Sequence, residues 1–427
     1  MKKTLLSLAI LICFGFSISA QNKKCATMDN WERLKAKDAN VEMRKQQLEI
    51  KTQEWIVNNA GQQKKAVITI PVVVHVLYNA SIENVSDAQI LSQITVLNED
   101  FRLLNADSLT SPNPFALNAA DCQIEFCMAM QDPAGNSTNG ITRTLTDSTT
   151  FAGIGSEKFT ASGGMDNWDP TKYLNLWVCN VGETDGTLGY ATFPSDLSSD
   201  PDNDGVVIDY RAFGNIGTAG TGIFIGNGLG RTGSHEVGHW LNLSHIWGDA
   251  FCGDDFVSDT PLHETDNSDC PTYPWNQNNS CTPSSGANGE MFMNYMDYPD
   301  DACLVMFTDG QRDRMQAALA TDRAAILTSQ GCMVSGIENT FNALVDVNIY
   351  PNPSNGYFII EVQSEVVTDI NIEVVNVLGK RVFQLSVENI SSLNNFRIDL
   401  KDEATGIYFV TITTSELTIN KKMIVRE

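Results

Sequence analysis

Three of the chain's five histidines fall within eleven residues, in Gly233-Ser-His-Glu-Val-Gly-His-Trp-Leu-Asn-Leu-Ser-His245. His235 and His239 are four apart, so on a helix they share one face and can both bind a single zinc ion. Glu236 sits about 100° around the axis, placed to reach a water beside the metal rather than the metal itself. Zinc lowers the pKa of such a water towards neutrality, and the carboxylate takes its proton as general base. The third histidine imposes a condition. On a continued helix His245 would be rotated by roughly 240° and raised by about 9 Å relative to His239, too far to share the ion. The helix therefore has to stop and the chain has to turn. Asn242 stands where the turn is needed, and asparagine is the commonest non-glycine residue in the left-handed conformation and an accepted helix C-terminal cap. Some fifty residues on, Met293-Asn-Tyr-Met296-Asp-Tyr298 offers a methionine that can floor the histidine rings and a tyrosine two positions later. An isolated methionine reads as core packing; beside HExxHxxNxxH it reads as part of the site.

The rest of the chain bounds that chemistry. At 427 residues it has room for two or three domains, and its formal net charge of −24 at pH 7 disfavours nucleic acid or an anionic membrane as partner. MKKTLLSLAILICFGFSISA at residues 1–20 has the order of a secretory signal, and no later run is long and apolar enough to span a membrane. With Cys13 inside that leader, nine of the ten cysteines remain, an odd number for an oxidising compartment. Cys25 stands alone, apart from the pairs Cys122/Cys127 and Cys179/Cys332 and the group Cys252, Cys270, Cys281 and Cys303. Residues 26–65 predict a polar helix with a sparse apolar stripe, ending in a protease-sensitive break at Gly61-Gln-Gln-Lys-Lys65. Strands are predicted from Val67 to Tyr78, Gln123 to Met130, Leu174 to Asn180 and Gly205 to Tyr210, with a helix from Ser86 to Leu103; strands followed by the histidine helix make an α+β pattern. Residues 338–427 hold no cysteine or histidine. There, short β-type runs (Gly356 to Val362, Ile370 to Val377, Arg397 to Leu400, Gly406 to Thr413, Lys421 to Val425) predict a small all-β, immunoglobulin-like sandwich.

Several separated motifs then resemble the pappalysin family of metzincin metallopeptidases: Ile70-Pro-Val-Val-Val-His-Val-Leu-Tyr78, Ile124-Glu-Phe-Cys127, Tyr173-Leu-Asn-Leu-Trp177, Gly230 to His239, Asp259-Thr-Pro261 and Asn294-Tyr-Met-Asp-Tyr298. The resemblance covers most of residues 67–325 and departs from the family at Asn242, where glycine is usual. It implies a metzincin fold for residues 66–335 with His235, His239 and His245 as zinc ligands, Glu236 as general base, Met296 under the metal and Tyr298 assisting the transition state. It implies a pro-segment at 21–65 whose Cys25 closes the zinc position in a zymogen, a thiolate being a strong zinc ligand. It also implies disulfides Cys252–Cys281 and Cys270–Cys303, and calcium in the acidic loop through Asp255, the Val257 carbonyl, Asp259 and Thr260. Relatives favour cleavage before arginine or lysine, and the run Asp297 to Asp301 is acidic enough to hold such a side chain, without singling out one aspartate. Separately, Tyr350-Pro-Asn-Pro-Ser-Asn-Gly356, Val377-Leu-Gly-Lys380, Gly406-Ile-Tyr-Phe409 and Lys421 to Glu427 resemble the type A sorting domain of type IX secretion, for residues 338–427. The expectation is a zinc endopeptidase acting on proteins or peptides, secreted or held on the surface of a Gram-negative bacterium after passing the periplasm and meeting the type IX machinery. The competing expectation is a calcium-binding adhesin whose zinc site is structural or idle; a structural site would be closed by a fourth protein ligand.

Overall fold

The computed structural model describes residues 25–60, 66–151, 154–181, 186–275, 280–281, 286, 288–333, 345–376, 380–414 and 418–426. The expected leader at 1–20, with Cys13, and the break at 61–65 lie outside the described residues. The chain divides into two compact units, Met1–Ser335 and Gly336–Glu427.

Where one polar helix is predicted, the chain forms two, α1 (Thr27–Lys37) and α2 (Val41–Asn59). The break falls at Asp38, whose carboxylate accepts the Asn40 N–H at 2.9 Å and so competes with the helical ladder. The sparse stripe is used: Trp31, Leu34 and Val41 pack on Phe193.

The β-branched run Ile68–Tyr78 becomes β1, buried from Ile70 to Leu77. It has to be apolar on both faces because it runs inside a parallel sheet. Ser86 caps the next helix, α3 (Asp87–Phe101), by accepting the Gln89 N–H, and Ile90, Ile94, Leu97 and Phe101 turn its apolar face to the sheet core. Strands β2 (Ile124–Met128) and β3 (Ile141–Leu145) pair in parallel with the first and last five residues of β1, and β4 (Leu174–Cys179) pairs with its middle. The short strand β5 (Gly189–Ala191) is antiparallel to β6 (Val206–Asp209) and forms an edge of the sheet, whose order is β2-β1-β4-β6-β5. Helix α4 (Arg231–Trp240) carries the histidines, and α5 (Asp309–Ala320) starts in a capping box formed by Thr308 and Gln311. Strands β3 and β5 and helix α5 carry no decisive sequence signal: two are short, and α5 is buried by its neighbours despite a polar composition.

The cysteine grouping is corrected in part. Cys127 bridges Cys332 across a Cα separation of 6.0 Å, while Cys122 and Cys179 stay reduced and buried. Residues five apart in extended chain lie about 16 Å apart, so Cys122 and Cys127 cannot reach each other. Cys252–Cys281 and Cys270–Cys303 are bonded, with Cα atoms 5.4 and 5.8 Å apart.

The second unit is an antiparallel sheet of β7 (Val345–Tyr350), β8 (Tyr357–Asn376), β9 (Arg381–Asp399), β10 (Gly406–Thr413) and β11 (Thr418–Val425). Two runs predicted as separate strands are the halves of β8, which pairs with β9 along nearly its whole length, with β7 at its start and with β10 at its end. Register shifts between Ser364, Thr368 and Ile370 interrupt the alternation that would have shown β8 to be continuous. Phe358, Ile360, Val362, Ile372, Val374, Tyr408, Val410 and Met423 fill its core.

Candidate active site

Helix α4 is set against α3 without a spacer. A Cβ on Gly233 would lie 2.3 Å from Gln93 Nε2, so any larger residue there would have to displace that side chain. Its N-terminal end is fixed by Asp301, whose carboxylate accepts the N–H groups of Leu229 and Arg231 at 2.8 and 3.2 Å. The Arg231 side chain pairs with Asp100 and Asp107, and Ser234 donates to Asp100.

The helix ends at Trp240. Asn242 adopts φ 75°; its N–H reaches His239 O at 2.9 Å, and the Leu243 N–H reaches Gly238 O at 3.0 Å. That double closure satisfies the last carbonyls of the helix and reverses the chain. His245 consequently returns to the face it would have left, and its Nε2 stands 3.1 Å from His239 Nε2, which is also 3.1 Å from His235 Nε2.

The outer nitrogens of the three rings are all engaged. His235 Nδ1 donates to Tyr295 O and His239 Nδ1 to Leu243 O, both at 2.7 Å, and His245 Nδ1 pairs with Asp249. For His235 and His239, backbone carbonyls that can only accept hold the proton on Nδ1 and turn the Nε2 lone pair inward. Three Nε2 atoms therefore converge on one point, a donor set that suits a cation. Burial first, and the neighbouring rings after it, push His235 down to about 3 and His239 well below the ordinary histidine range, so these rings are neutral.

Glu236, buried on the same helix, is pushed up to about 8 by burial, and its Oε1 has no hydrogen-bond partner among the described residues. The Met296 sulfur would lie 2.5 Å from a Cβ on Gly238 of the same helix, so methionine and glycine are fitted to each other. The Tyr298 hydroxyl is 3.0 Å from His245 Nε2, and Trp247 stacks on the His245 ring at 4.4 Å.

Cys25 enters this group from the N-terminal segment. Its Sγ lies 3.6 Å from His239 Nε2 and 3.6 Å from Glu236 Oε2, and it forms with the three histidines a set of ligand atoms within 4.8 Å of one another. Burial and the Glu236 carboxylate push the thiol well above its ordinary value, a cost that a bound cation reverses. The residues present thus fit a tetrahedral zinc ion with three nitrogens and one sulfur.

Sequence reasoning did not single out Thr27, whose hydroxyl donates to Glu236 Oε2 at 3.1 Å and accepts the Ala191 N–H at 2.9 Å. Residues 25–27 lie parallel to β5, with Ala26 N–H bonded to Gly189 O at 2.9 Å. Asp249 was also missed, although its spacing of four from His245 is a readable signal. From α2, Thr52 accepts the Asn242 side-chain amide at 3.0 Å and Glu49 pairs with Arg314 at 2.8 Å.

The four calcium candidates do not converge on one point. Thr260 Oγ1 lies 2.9 Å from both Asp255 carboxylate oxygens and 2.8 Å from the Val257 carbonyl, three acceptors around one hydroxyl hydrogen. Burial pushes Asp255 up to about 7. Asp259 faces away, accepting the Thr308 hydroxyl and the Gly310 N–H at the start of α5. Within the acidic run, Asp297, Tyr298, Pro299 and Asp301 line a pocket beside His235 together with Leu188 and Asn227. Burial pushes the Asp301 carboxyl up to about 6. Asp297 is committed to the Asn267 N–H at 2.9 Å and side-chain amide at 2.8 Å.

Comparison with known proteins agrees with this geometry. Residues 162–320 match the family described as pregnancy-associated plasma protein-A, and residues 348–426 match the secretion system C-terminal sorting domain. An extracellular metalloprotease of Verticillium alfalfae is 39% identical over 158 residues, 36% of this chain and 51% of that protein. One from Pyricularia oryzae is 28% identical over 318 residues, 73% of this chain and 96% of that protein. The chain thus spans about half the length of several curated relatives it matches. Among solved structures, mature mirolysin of Tannerella forsythia in complex with a cleaved peptide is 46% identical, with a TM-score of 0.59, over 64% of this chain and all of that one. A promirolysin variant from the same organism is 43% identical, with a TM-score of 0.64, over 71% of this chain and 97% of that one. With the helix, the turn and the histidine cluster in place, the chain belongs to the pappalysin-like metallopeptidases and carries a C-terminal secretion sorting domain.

Proposed function

We propose that this chain is the latent precursor of a secreted zinc endopeptidase. The observation that carries the reading is the convergence of three histidine Nε2 atoms beside a buried carboxylate with one unpartnered oxygen. A zinc ion held by His235, His239 and His245 would polarise the scissile carbonyl and make the attacking water more acidic. Glu236 takes the proton of that water and returns it to the leaving amine. Gly189 lets strand and base come together, since a Cβ there would stand 3.3 Å from Glu236 Oε1. Once residues 25–27 leave β5, its backbone is free to pair with an extended peptide. Tyr298 is placed to donate its hydroxyl to the developing oxyanion. The pocket of Asp297 to Asp301 takes the residue after the scissile bond, and Asp301 favours arginine or lysine there. Thr260, Asp255 and the Val257 carbonyl form a cation site for calcium. The fourth position held by Cys25 belongs to the removable segment at 21–65, which favours latency over a closed structural site. The metalloprotease relatives and the sorting domain support export by the type IX route, with 1–20 as leader, 66–335 as catalytic domain and 338–427 as sorting domain.

The test is casein hydrolysis by full-length protein after limited proteolysis, with and without chelator, against Glu236→Gln, alongside zinc content. About one zinc per chain and activity lost in both controls is the expected result. Equal hydrolysis by all samples excludes this function.

A further inference from the structure

The edge strand β5 has two ends. At the Leu188 end lies the pocket of Tyr298 and Asp301. At the other end the chain continues through Phe193 to Asp196, and the centres of the Phe193 and His239 rings lie 5.7 Å apart in an edge-to-face arrangement. This second region flanks His239, whereas the pocket at the Leu188 end lies beside His235, and it plays no part in the mechanism above.

A side chain already occupies it. Lys45 of α2 places its ammonium 4.7 Å from the centre of the Phe193 ring and 4.6 Å from that of Trp31. Such positions draw on the negative faces of both rings. Burial pushes the Lys45 ammonium below the usual lysine range, and the carboxylates of Asp249, Glu42 and Asp196 act against that burial. Trp31 and Glu42 belong to the N-terminal segment; Phe193, Asp196 and Asp249 do not. Asp196 is 3% exposed, its Oδ2 has no hydrogen-bond partner among the described residues, and Arg44 of that segment, ahead of Lys45, supplies the positive charge it faces. A buried carboxylate with an unpartnered oxygen is an environment that a cation improves and a neutral group does not.

Resting on the peptidase reading, we propose that Phe193, Asp196 and Asp249 form a subsite for a cationic side chain, lysine or arginine, on the N-terminal side of the scissile bond. In the precursor Lys45 fills it. Removal of the N-terminal segment takes away Lys45, Trp31 and Glu42 together and leaves the acidic and aromatic walls to the substrate. A basic side chain there replaces the lost ammonium, so the segment and the substrate compete for one place. The selectivity is separate from that of the pocket at the Leu188 end, because the two lie beside different histidines.

The experiment uses full-length protein activated by limited proteolysis and pairs of peptides that differ only by lysine or norleucine at each of the three positions before the cut. The wild type should prefer lysine at one of these positions by about tenfold in kcat/KM. Asp196→Asn and Phe193→Leu, each with a melting temperature near that of the wild type, should bring that ratio close to one. A wild-type ratio near one at all three positions overturns the subsite, as does a ratio that neither variant changes. Failure of the activated wild type to cut any peptide, with zinc present, refutes instead the peptidase reading on which the subsite rests.

Discussion

Replacing Asn242 by alanine isolates the turn that brings the third histidine into place. At φ 75° an alanine carries about 1–2 kcal/mol of left-handed strain that glycine does not. Both replacements lose the 3.0 Å bond from the Asn242 amide to Thr52, worth about 1 kcal/mol in the precursor. Stability alone is a blunt comparison, because glycine also loosens the unfolded chain by about 0.5–1 kcal/mol. Zinc affinity is sharper, since the metal binds the folded chain and that difference cancels. Without metal the alanine turn can relax towards helix and carry His245 away; binding has to pull it back. The strain should therefore weaken zinc binding by about 5–30-fold in Asn242→Ala, with Asn242→Gly close to the wild type. Competition with a chromophoric chelator on activated protein measures both. Equal affinities for the alanine and glycine variants would refute the idea that left-handed geometry at this residue delivers His245.

Other consequences can be checked in parallel. Cys25→Ala should raise casein hydrolysis by the uncut precursor by about tenfold or more, because water then enters the fourth position; unchanged latency would remove the thiol from the inhibitory role. Glu49→Gln leaves Arg314 without its ion pair, and should lower the melting temperature of the precursor by a few degrees while leaving the proteolysed form unchanged. The Asp301 carboxyl is raised to about 6 by burial, so it is neutral below that pH and charged above it. Selectivity for lysine over leucine after the cut should therefore rise as pH increases through about 6, read as a ratio of kcat/KM values; a flat ratio argues that another group reads the charge.

The metal site was legible because its logic is local. Spacing of four on a helix, a turn at Asn242 and a methionine segment downstream are short-range patterns, and the strand at Val67 to Tyr78 declares itself by composition. What was hidden depends on distant parts meeting. Tyr295 O and Leu243 O are backbone atoms, so no residue type announces that they orient His235 and His239. Strand β5 is three residues long, and its importance comes from facing Glu236 and Cys25, which are far away in sequence. The bond of Cys127 to Cys332 spans 205 residues, and only the meeting of β2 with the segment after α5 selects it. Helices α1 and α2 read as one because their break depends on a single side chain, Asp38, bonding its own backbone.

The parallel lie of residues 25–27 on β5 has a consequence beyond latency. An uncovered sheet edge is an invitation to any extended chain, including another copy of the same protein. While residues 25–27 lie along it, that edge is shielded. On the proposed reading, the cut that removes this segment would also expose a surface prone to self-association, so its timing would govern solubility as well as activity. A weakened segment would be expected to show its fault first as precipitate in the preparation, before any substrate is lost.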